Sequence, residues 1–126
     1  MEIIPLNHKR TFSYEQAQEI LPVVYRITEA AQKEVRTLVN RIDSLKGTQN
    51  SRVTELEAQV NQIIDGWQQK LVKLGASPKG LWLADFDNGN GYYCWKFPET
   101  VISYWHGYND GFSGRVLIQP GSNEKQ

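Results

Sequence analysis

Two apolar stripes within residues 12–75 constrain this chain more than any other feature of its sequence. In the first, Ile20, Val24, Ile27, Ala31, Val35, Leu38, Ile42 and Leu45 recur at steps of three and four. In the second, Val53, Leu56, Val60, Ile63, Trp67, Leu71 and Leu74 do the same. That period sets each group along one side of an α-helix. Ser13 stands three residues before Gln16, the spacing at which hydroxyl and amide satisfy each other's orphan backbone donors. Pro22 removes one backbone donor, and either bends the first helix or marks a new first turn. Gly47 to Ser51 is a turn suited to an antiparallel helical hairpin, with Asn50 or Ser51 as the cap of the second helix. Gly75 falls where a left-handed residue ends a helix. Gly66, inside the second helix, costs about 1 kcal/mol relative to alanine, and close approach of another backbone is one reason to keep it. Both stripes can zip in coiled-coil fashion. They outrun what the remaining residues could cover, which predicts a homodimer joined through the helices.

After Ala76–Gly80 the period changes. Ten of the 14 aromatic residues fall between Leu81 and Arg115, so the helices carry a ring-rich head. Leu81–Phe86 and Tyr92–Phe97 read as a β-hairpin over Asp87–Gly91, because asparagine and glycine supply positive φ cheaply. Pro98 suits the first turn of a short helix reaching about Tyr108. Val116–Ile118 is a candidate third strand, Ile3–Phe12 a short extended opening, and 119–126 a flexible polar tail. The predicted fold is α+β, a single domain over 1–126: a helical hairpin over 12–75, then an aromatic β-hairpin and helix head over 80–118.

Composition narrows the partners. The formal net charge is zero, and 10 of the 14 lysines and arginines precede Lys79, so neither nucleic acid nor an acidic membrane finds a basic surface. No apolar run is long enough to cross a bilayer, and the first residues lack a signal-peptide core. The single cysteine, Cys94, excludes an intrachain disulfide and fits a reducing compartment. A cytoplasmic location is expected.

With 98–110 helical, Glu99, Ser103, His106 and Asp110 would share one face. There His106 could act as a general base oriented by a carboxylate one turn away. The bland alternative is a solvated helix face, on which His106→Ala would cost under about 0.5 kcal/mol. His106 and Asp110 could also reach one divalent ion, a third ligand coming from Asp85, Asp87 or Cys94. No motif of recognised ligand spacing supports this, so no cofactor is predicted. Cys94 is read as an inert core thiol. Arg115 pairs with Glu99, with Asp110 or with an acidic ligand.

These pieces resemble an uncharacterised bacterial family, domain of unknown function 2203. The resemblance rests on Phe12-Ser13, Ala17 and Leu21-Pro22, then on Gly80-Leu81-Trp82-Leu83-Ala84-Asp85-Phe86. It closes with Cys94-Trp95, Pro98-Glu99, Trp105-His106, Gly111-Phe112 and Arg115. Pro98 stands where the family pattern has glycine, and Trp82 and Ala84 interrupt its Leu-Val-Asp-Phe run. The family brings no established activity, cofactor or partner. It implies that Trp95, Glu99, Trp105, His106 and Arg115 form one constellation.

Two functions follow from the sequence. The favoured one is a small homodimeric module that binds a protein or small-molecule ligand on its aromatic head, with Trp and Arg as anchors; this leans away from an enzyme. The alternative is a hydrolase using His106 with Glu99 or Asp110, with or without a divalent metal.

Overall fold

Ser13 and Gln16 start helix α1 (Tyr14–Leu45) as their spacing predicts. The Ser13 hydroxyl accepts from the Gln16 backbone N–H at 3.1 Å, and the Gln16 side chain accepts from the Ser13 N–H at 2.9 Å. A computed structural model describes residues 10–118. The expected extended opening, up to residue 9, and the expected tail over 119–126 lie outside the described residues.

Helix α1 runs through Pro22 without a new first turn. Its buried residues are Ala17, Leu21, Val24, Thr28, Ala31, Val35 and Ile42, a stripe rotated slightly from the predicted one. Small and β-branched residues there let helix α2 (Asn50–Lys73) pack closely, through Leu56, Trp67 and Leu71. One fully buried point of that seam is polar. Trp67 donates its indole N–H to the Thr28 hydroxyl at 2.7 Å, so neither buried group is left unpaired. Neither Asn50 nor Ser51 caps α2. Asn50 is already helical, and Gln49 is the cap residue without a side-chain bond. At the far end Gly75 has φ +92°, its N–H bonds to Val72 and that of Ala76 to Leu71, which is a Schellman ending.

Gly66 does not admit a close backbone, contrary to the reason offered above. A Cβ built there meets nothing within 4 Å. Gly66→Ala is therefore expected to raise stability by about 1 kcal/mol, from helix propensity alone, as measured by urea unfolding.

The head is more sheet than a hairpin. Five antiparallel strands follow in chain order: β1 (Ser77–Gly80), β2 (Leu83–Asp87), β3 (Tyr92–Lys96), β4 (Tyr104–His106) and β5 (Val116–Leu117). The predicted β-hairpin is β2–β3, and the predicted third strand is β5. The helix expected from Pro98 to Tyr108 is absent, and β4 occupies its second half. The one short helix in this region is a single 3-10 turn at Phe112–Gly114. Two contacts to α1 decide this. Gln18 accepts from the Ile102 N–H at 2.8 Å, and the Tyr14 hydroxyl donates to the Ile102 carbonyl at 2.8 Å. They hold the chain extended just before Tyr104-Trp105-His106, whose aromatic rings suit a pleated surface better than a helix.

Strand alternation then sorts the side chains onto two faces. Ala84, Phe86, Tyr93 and Trp95 face the helices and form the core with Leu21, Val24, Trp67 and Leu71. Phe12 packs edge-on against Phe86, and Tyr14 against Tyr93, which seals the helix–sheet joint. Among the described residues, no helix is long and apolar enough to cross a membrane.

Candidate functional site

The face of the sheet turned away from the helices should be the wet one, yet it holds buried polar groups. Asp85 is 3% exposed, Asp87 7% and His106 4%. Pairing register explains how they meet. Asp85 of β2 lies opposite Cys94 of β3, and His106 of β4 lies opposite Tyr92, two residues along the same face. One ligand atom each from Asp85, Cys94 and His106 falls within 4.8 Å of the others.

Protons in this cluster are fixed by its hydrogen bonds. His106 Nδ1 lies 2.8 Å from the Gly107 carbonyl, which can only accept, so Nδ1 carries a hydrogen. Nε2 points at Asp85 Oδ2, 3.0 Å away. That contact requires a proton between the two atoms, making either an imidazolium–carboxylate pair or a neutral one. Burial holds the Asp85 carboxyl above its ordinary range, while neighbouring His106 and Cys94 pull it back. The Cys94 thiol is pushed up to about 12, first by burial and then by the charge of Asp85, with Arg115 opposing. It is therefore a thiol near neutrality and no nucleophile by itself. Native Cys94 is expected to resist iodoacetamide at about pH 8 and to react freely once unfolded, which intact-mass measurement reads directly.

Around the cluster, the Glu99 carboxylate holds the Arg115 guanidinium at both ends, at 2.8 and 3.2 Å. Asp87 accepts from the Tyr108 hydroxyl at 2.8 Å and from the Gly89 N–H at 2.9 Å. A cleft of about 320 Å³ opens onto the cluster, with Asp85 and His106 in its wall beside Lys79, Tyr92, Tyr108 and Phe112.

The predicted residues are distributed unevenly. His106 is central, but its partner is Asp85 rather than Glu99 or Asp110. Asp110 lines the cleft and takes the Gly107 N–H at 3.2 Å, a turn contact outside the cluster. Glu99 and Arg115 pair and adjoin Cys94 through Arg115. Trp95 lies on the opposite face, in the core, where its indole donates to the Glu99 carbonyl. Trp105 packs half-buried on that same side. The constellation implied by the resemblance is thus split by the sheet. Cys94, read as an inert core thiol, is the third member of the cluster.

The family described as Uncharacterized conserved protein (DUF2203) has a model that matches residues 10–118. The chain belongs to that family. No curated protein and no solved structure is significantly similar to this DUF2203 protein. Chemistry must therefore be read from the cluster, whose Asp85, Cys94 and His106 all fall within the motifs quoted for the resemblance. The lean away from an enzyme is corrected here. A buried Asp–Cys–His set, of which Asp85 and His106 line a cleft, is compatible with metal coordination and with catalysis, and an inert core does not need it.

Proposed function

We propose that this DUF2203 protein is a small metal-dependent hydrolase, with a mononuclear site made by Asp85, Cys94 and His106. The observation that carries the reading is the convergence of three ligand atoms within 4.8 Å on three adjacent strands, beside an open cleft. Three mixed N, O and S ligands with a further position open to substrate are the pattern of catalytic zinc sites. The outer contacts also fit. A metal-binding histidine ordinarily donates its other ring N–H to a carbonyl or carboxylate, and His106 Nδ1 already does so to Gly107.

Charge bookkeeping agrees. Without metal the cluster holds two protons, one on Cys94 and one between His106 and Asp85. One divalent ion replacing both leaves the buried charge unchanged. A bound ion there supplies Lewis acidity and makes a water easier to ionise. Asp85, Cys94 and His106 would hold the ion, while the rings of Tyr92, Tyr108 and Phe112 would form the substrate's apolar walls. Glu99 and Asp110, the carboxylates first paired with His106, have no part in this step.

The test is metal analysis of protein purified without chelator, followed by assay on ester, amide and phosphoester panels. Near-stoichiometric zinc and turnover that is lost on chelation and restored by zinc are expected. Absence of any tight divalent binding would end the proposal. We also propose self-association through the helices, supported by an open groove of about 410 Å³ between α1 and α2 at Ile27, Ala31, Ile63 and Gly66. Light scattering showing a strict monomer at high concentration would dismiss that second proposal.

A further inference from the structure

Arg115 is held more firmly than a surface arginine needs to be. Glu99 grips two of its nitrogens, at 2.8 and 3.2 Å. Its guanidinium carbon lies 3.9 Å from the Tyr104 ring centre and 4.3 Å from that of Phe112. Two rings and a bidentate carboxylate together fix the plane of the group and the direction of its remaining N–H donors. Tyr104 lies opposite Cys94 in the β3–β4 register, so the guanidinium stacked on its ring sits on the same face, beside the Cys94 thiol, on which it acts electrostatically.

We propose that Arg115 is the positioning residue of the metal site, hydrogen-bonding the Cys94 sulfur from outside the ligand shell. The inference rests on the reading of Asp85, Cys94 and His106 as metal ligands. A thiolate accepts hydrogen bonds more strongly than a thiol, so the contact tightens when a metal replaces the Cys94 proton. It fixes the sulfur's position and draws off part of its negative charge, the way outer-shell donors tune a site. Glu99 has a second effect besides orientation. It cancels the guanidinium's charge, so that Arg115 supplies directed hydrogen bonds without a net positive field against the incoming ion. A lysine could restore the charge pair with Glu99 but not the planar fork or its stacking.

The experiment measures zinc affinity by competition with a chromogenic chelator, together with the cobalt-substituted absorption spectrum. It uses the full chain and its Arg115→Lys and Arg115→Gln variants. Both variants are expected to bind zinc about 10–100-fold more weakly, with a displaced thiolate-to-cobalt charge-transfer band. Wild-type affinity and an unmoved band in both variants would overturn the inference, as would full rescue by lysine, which would mark a plain ion pair. If Arg115→Gln does not fold, Glu99→Gln leaves the guanidinium present but unclamped and is judged by the same readouts. Failure of the site reading is distinct: the wild-type protein itself would bind no zinc, and the inference would fall with it.

Discussion

Cys94→Ser is expected to weaken zinc binding by more than about 100-fold, since loss of an outer-shell partner alone already costs 10–100-fold. Hydrolytic turnover of the zinc-loaded protein should fall with it. Serine is the informative replacement because it nearly fills the same space and its hydroxyl can donate to Asp85, which lies opposite in the β2–β3 register. The metal-free fold should therefore stand, as its near-ultraviolet circular dichroism and melting temperature would show. Zinc affinity measured by chelator competition separates the two accounts of this residue. Unchanged affinity in a folded Cys94→Ser protein would return Cys94 to the role of a small buried hydrophobe. The expected loss would establish that its burial serves the ion.

The parts of this fold that were legible from sequence are those set by local chemistry. Ser13 with Gln16, the two stripes and Gly75 each act within a few residues, and each forms as the spacing predicts. The turn between β2 and β3 forms too, but over Asn88–Gly91, one residue shorter than expected. Asp87 N-terminal to it pairs with Tyr92, and counting back along both strands sets Asp85 opposite Cys94. A loop over Asp87–Gly91, as the sequence suggests, pairs Phe86 with Tyr92 and Asp85 with Tyr93; this slip of one residue hides half of the site. His106 is hidden in a different way. Its place depends on residues 102–106 being extended after the turn at Phe97-Pro98, an extension that Tyr14 and Gln18 impose through Ile102 across more than 80 residues of sequence. The residue signal that could have warned of it is the run Thr100-Val101-Ile102, β-branched residues that favour a strand over a helix.

Once β4 is a strand, the helical spacing that joined Glu99, His106 and Asp110 has no meaning. A period of two throws Trp105 to the core side and His106 to the other. The same alternation explains why Trp95 and Cys94, adjacent in sequence, serve opposite ends of the molecule's economy. Trp95 fills the helix–sheet core, and Cys94 faces the cleft side beside Arg115. A ring-rich sequence made this head look uniform, although the sheet divides it into an apolar face and one holding buried polar groups.

His106→Ala is expected to cost the metal-free protein about 3–5 kcal/mol near neutral pH, the usual loss when one member of a buried ion pair is removed. The figure replaces the value under about 0.5 kcal/mol that a solvated helix face would give. The reason is Asp85, which loses its partner inside a site only 3% exposed. The pH dependence follows from the same carboxyl. Burial already holds it above its ordinary range, and His106 is the leading influence against that rise. Removing His106 lifts the folded-state pKa further and leaves the unfolded value alone. A carboxyl raised in the folded state weakens folding increasingly as pH climbs from the unfolded pKa through the folded one. The deficit of His106→Ala should thus be smallest near pH 4, close to an ordinary aspartate's pKa, and largest at neutral pH and above. Urea unfolding of wild type and variant at both ends of that range measures it. Adding Asp85→Asn should recover much of the neutral-pH loss, because no ionised group then remains to be buried. A deficit equal at all pH values, unrelieved by Asp85→Asn, would assign the cost to lost packing and leave the Asp85–His106 pair without energetic weight.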